Sequence, residues 1–107
     1  MSLNFYLTRV QPMVVFDTNI THNLGKMAEA AGIYNVLWRP GEYGYATAEQ
    51  IIPILREGLS KLEADPEKFK KFDSPNGWGI YDHFVPFVRK VLEACEEYPD
   101  AEIMVSV

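Results

Sequence analysis

Ala101-Glu102-Ile103-Met104-Val105-Ser106-Val107 closes the chain with an alternating run in which Ile103, Val105 and Val107 fall on one side of an extended backbone. A strand at this end needs a partner, and the opposite end of the chain offers one. Asn4 to Val10 is rich in aromatic and β-branched residues, and Met13 to Phe16 is a second apolar run, with Gln11-Pro12 between them. Proline cannot donate to a ladder, so Pro12 belongs at a turn or an edge, and the two runs read as two antiparallel strands or as one strand broken at Pro12. Strands at both ends with helical patterns between them predict an α+β domain. Its sheet is small, antiparallel or mixed, made of the N-terminal strands plus the C-terminal strand, and covered on one face by three to four helices.

The helical patterns follow from spacing and punctuation. Asp17 to Asn23 is polar apart from Ile20, and Thr21 and Asn23 are both suitable N-caps for a helix over about 24–31. Gly32 stands at its end, and Ile33 to Trp38 adds a further turn or two that groups Tyr34, Leu37 and Trp38. After the glycine loop 41–45, Thr47 with Gln50 forms a capping box that opens a helix to about Ala64, with Ile51, Leu55, Leu59 and Leu62 inward. Pro53 predicts a mild kink or a later start there. Asp65-Pro66 begins a short helix to about Lys71, and 73–77 is a turn. The last helix covers about 80–97, with Ile80, Phe84, Val88, Val91 and Cys95 on its core face.

With 107 residues, of which 48% are hydrophobic and 23% charged, the chain fits one domain, 1–107, and shows no disordered signature. So short a chain leaves much apolar surface in water, which favours association with a second copy, as a homodimer, or with a partner. The net charge of −5 opposes non-specific binding to nucleic acid or to an anionic membrane surface. Lys68, Lys70 and Lys71, interleaved with Phe69 and Phe72, read as a solvated helix face rather than a phosphate patch. A single cysteine, no leader and no apolar stretch of spanning length point to the cytoplasm.

Residue chemistry narrows the functional classes. Two histidines and one cysteine are too few convergent donors for a metal centre, and no cofactor fingerprint is present, so neither metal nor cofactor is expected. Cys95 belongs to an apolar stripe, and no serine has the context of a nucleophile. What remains is an aromatic-amide set at helix entrances. Asn19, Thr21, His22 and Asn23 precede the first helix, Trp38 and Arg39 end the second, and Asn76, Trp78, Tyr81 and His83 lead into the last. Rings supply stacking area at low entropic cost while amides and Arg supply directed hydrogen bonds, the mixture used by a polar ligand site or a protein hot spot. Caps and core residues have the same composition, and the sequence leaves both readings open.

Asn19-Ile20-Thr21-His22-Asn23-Leu24, Met27 to Tyr34, Leu37-Trp38-Arg39-Pro40, Asn76-Gly77-Trp78-Gly79 with Tyr81, then Cys95 and Val105-Ser106 resemble a family of small uncharacterised proteins from bacterial and bacteriophage genomes. The resemblance covers most of the chain and brings no reaction, substrate or cofactor. It departs at the end, where Val107 stands in place of an expected Arg. It implies a cytoplasmic protein of phage or mobile-element origin and favours a non-enzymatic binding or interaction module over a catalyst. The rival expectation is a small enzyme or ligand-sequestering protein acting on a polar metabolite or nucleotide, with His22 or His83 as proton-transfer group and Arg39 as anion contact.

Overall fold

The computed structural model describes residues 2–9 and 13–107. Strands β1 (Ser2–Thr8) and β2 (Val14–Thr21) are followed by a 3-10 turn at His22–Leu24 and by short helices α1 (Gly25–Ala30) and α2 (Tyr34–Trp38). A second 3-10 turn at Pro40–Tyr43 leads to α3 (Ala48–Ala64), α4 (Pro66–Lys70), α5 (Tyr81–Glu97) and the last strand, β3 (Glu102–Ser106). The sheet order is β2-β1-β3 with both pairings antiparallel, so the fold is α+β and the C-terminal strand does join the N-terminal pair. The turn expected at Gln11-Pro12 lies outside the described residues, as does Val10.

Alternation in β1 decides which side of the sheet the helices cover. Leu3, Phe5 and Leu7 are fully buried while Asn4 and Tyr6 between them are half-buried. Register then places Ile20, Thr18 and Phe16 of β2, and Val105 and Ile103 of β3, beside them on the helix side. Onto this face pack Ile51, Leu55 and Leu62 of α3 and Phe84, Val88, Val91 and Cys95 of α5, which share one core cluster with β1. Each such side chain contributes on the order of 1.5–3 kcal/mol through burial. The reverse face carries Asn4, Tyr6, Asp17, Asn19, Met104 and Ser106 in cross-strand register. An antiparallel sheet can leave that side to water.

Four local expectations change. The polar stretch from Asp17 is strand as far as Thr21, not a lead-in to a helix. The first helix is divided into the 3-10 turn and α1. Pro53 does not delay α3, which starts at Ala48; there the Gln50 side chain accepts from the backbone N–H groups of Ala46 and Thr47 at 2.6 and 3.1 Å. Proline this close to a helix start removes only an early ladder bond. Ile80 is the N-cap residue of α5 and only half-buried.

Burial, then the neighbouring Glu96 carboxylate, pushes the Cys95 thiol up to about 12, so it stays protonated at neutral pH and packs as a small apolar group. Among the described residues, no helix is long and apolar enough to cross a membrane.

Candidate functional site

The two polar-aromatic segments meet. Asn23 donates from Nδ2 to the backbone carbonyl of Trp78 at 2.8 Å, across 55 residues of sequence. Gly79 makes the approach possible, because a Cβ there would lie 2.9 Å from Asn23 Cβ and 3.0 Å from Thr21 Cγ2. The 74–79 loop is braced from within as well. Asn76 Oδ1 accepts from the Ser74 hydroxyl at 2.6 Å and from the Trp78 N–H at 2.9 Å. Held by these bonds at the backbone, the Trp78 side chain is nevertheless 71% exposed.

On the other side of Asn23, His22 contacts Trp38. The indole Nε1–H donates to His22 Nδ1 at 2.8 Å. Trp38 is 3% exposed, so this bond satisfies a donor that has little access to water. Tyr34, four residues earlier on α2, stacks on Trp38 with centroids 5.2 Å apart and planes 9° from parallel. Together these rings line an open cavity of about 430 Å³ with Gly25, Lys26, Glu29, Arg39 and Val107. Arg39 is a surface side chain beside Tyr34 and Glu42, which hold its guanidinium above its usual pKa range. The Glu42 carboxylate lies 3.2 Å from it.

The remaining residues singled out from the sequence are not part of this cavity. Asn19 sits on the water-facing side of the sheet and donates to Ser2 Oγ and Asn4 Oδ1 at 2.9 and 2.6 Å. Thr21 caps the 3-10 turn, its hydroxyl accepting from Asn23 N–H at 3.3 Å. His83 is exposed on α5 and does not share the cavity with His22. Among the described residues, no three His, Cys, Asp or Glu side chains gather as a metal set.

Tyr81 is buried and structural in its contacts. Its hydroxyl donates to the Leu62 carbonyl at 2.7 Å, one of the last four carbonyls of α3, which have no partner inside their own helix. Burial, then the Glu63 carboxylate, raises its phenol pKa. Tyr81→Phe should therefore cost about 1 kcal/mol, through an unsatisfied carbonyl at the α3–α5 junction, as a lowered urea midpoint at unchanged slope. An unchanged midpoint would show that water replaces the phenol.

Lys26, Glu29 and Tyr34 line the cavity and were not among the residues marked as a site from the sequence. Only Tyr34 left a signal there, the four-residue spacing from Trp38. Comparison of the chain with protein-family models, with curated proteins and with solved structures finds no match in any of the three.

Proposed function

We propose that this chain is a non-enzymatic binding module of the cytoplasm, of phage or mobile-element origin, whose recognition surface runs from the His22–Trp38–Arg39 cavity to the Trp78 loop. One observation carries the reading: the Asn23–Trp78 bond fixes a loop whose tryptophan is left in water. A backbone braced by several hydrogen bonds spends little ordering entropy on binding, and an exposed indole on such a support has the character of an interface anchor. The partner is a protein, a second copy included, or a small polar ligand. The net charge of −5 argues against nucleic acid and anionic membranes.

Trp78→Ala and Asn76→Ala change exposed positions, so both variants should keep the parent's circular dichroism spectrum. Proteins retained by the immobilised parent should be lost by both variants. Folded variants that keep every protein partner of the parent overturn the reading. A small enzyme or ligand-sequestering protein is the second reading, favoured by the presence of His22 and Arg39 in one cavity.

A further inference from the structure

The cavity pairs an aromatic wall with a charged rim. Half-buried Tyr34 presents the open ring of the wall and Trp38, stacked behind it and 3% exposed, backs it, while Lys26, Glu29, Arg39 and His22 surround it. The hydrogen bond from Trp38 decides what His22 can offer. A ring nitrogen that accepts carries no proton, so the neutral imidazole with Nδ1 engaged holds its hydrogen on Nε2. Of the two rim cations, Arg39 is paired with Glu42 at 3.2 Å, which leaves Lys26 as the cation with a charge to offer an incoming ligand. No ion pair among the described residues includes Lys26.

We infer that this cavity binds a small flat-ringed monocarboxylate, its ring against the Tyr34–Trp38 wall and its carboxylate met by Lys26, Arg39 and the Nε2–H of His22. This rests on the cavity's being part of the recognition surface. Stacking favours a planar ring over a bulky aliphatic one. A carboxylate accepts several charge-assisted hydrogen bonds and carries a single negative charge, which Lys26 can meet. A phosphate dianion would bring a second charge towards Glu29, and the remaining rim cation, Arg39, is already paired with Glu42.

The test uses benzoate, its neutral isostere benzamide, and phenyl phosphate, titrated into the nitrogen-15-labelled full chain. The chain holds two tryptophans, so the indole N–H resonances of Trp38 and Trp78 report separately on cavity and loop. Benzoate should move the Trp38 resonance in a saturable way and leave that of Trp78 in place. Benzamide should bind at least about tenfold more weakly, the loss expected when a charged acceptor is removed. Lys26→Ala should weaken benzoate by about tenfold, and Glu29→Gln should strengthen it by several-fold; both positions are exposed, so the fold is retained. Benzamide binding as tightly as benzoate, or Lys26→Ala leaving benzoate unaffected, overturns the carboxylate assignment. Phenyl phosphate binding more tightly than benzoate overturns the monoanion preference, and a Trp38 resonance that no probe moves overturns ligand binding at this cavity. None of these outcomes touches the Trp78 loop, whose part in recognition stands or falls on the partners lost by Trp78→Ala.

Discussion

Gly79→Ala is expected to lower the unfolding free energy by about 2–5 kcal/mol, a large share of the stability of a domain this small. Two costs add. At φ +102° an L side chain meets backbone strain of about 1–2 kcal/mol or more. The new methyl would also stand 2.9 Å from Asn23 Cβ, 3.0 Å from Thr21 Cγ2 and 3.4 Å from Leu24 Cγ. None of these is the free end of a flexible chain, since Thr21 ends β2 and Leu24 is buried. Overpacking of this kind costs about 1–3 kcal/mol. Gly77→Ala supplies the control. Its φ is +78°, and an added Cβ meets nothing within 4 Å, so it carries only the backbone cost of about 1–2 kcal/mol. Urea unfolding of both variants separates the terms. Equal losses would mean that the 74–79 loop and the end of β2 do not pack through Gly79, and the joint on which the recognition surface depends would be lost.

The elements whose chemistry is local were legible in the sequence. The capping box at Thr47 and Gln50, the Asp65-Pro66 start of α4 and the alternating C-terminal run each depend on residues within a few positions of one another. The misread stretch was 17–21. Its polar residues suggest the lead-in to a helix, yet Asp17, Asn19 and Thr21 alternate with Thr18 and Ile20. That is the pattern of an antiparallel strand with one face in water. Register with β1 puts Asn19 opposite Asn4 on the open side and Ile20 opposite Leu3 in the core.

The site was legible in part for a different reason. His22, Trp38 and Arg39 carry uncommon chemistry and stand out along the chain, whereas Lys26 and Glu29 look like any solvated helix face. Their membership in the cavity depends on where α1 and α2 lie relative to each other, which sequence spacing does not encode. Tyr81 shows the converse. A polar aromatic at a helix entrance suggested a site, but its hydroxyl is committed to Leu62, a pairing set by the packing of α3 on α5.

Gly58→Ala should destabilise the chain by about 2 kcal/mol, opposite in sign to what helix propensity alone dictates. In an exposed helix interior the same change gains about 1 kcal/mol. Gly58, however, is buried in α3 against the turn that joins α1 to α2. An added Cβ would overlap Ile33 Cγ2 and lie 3.3 Å from the Ala31 carbonyl oxygen. Ile33 is fully buried and β-branched, so its χ1 cannot turn away cheaply, and the carbonyl is backbone. An overpacking cost near about 3 kcal/mol, less the propensity gain, leaves the net figure. A double-mutant cycle isolates the contact. Ile33→Ala by itself should cost about 2–5 kcal/mol through the cavity it leaves, but in that background Gly58→Ala has room for its methyl and should stabilise by up to about 1 kcal/mol. A stabilising Gly58→Ala in the parent would show that α3 does not approach this turn. The contact bears on the site because Ile33 immediately precedes Tyr34, the residue that begins α2 and stacks on Trp38. A methyl at position 58 presses on the base of the aromatic wall, so the Trp38 indole N–H resonance, whose position depends on its bond to His22, should shift in Gly58→Ala.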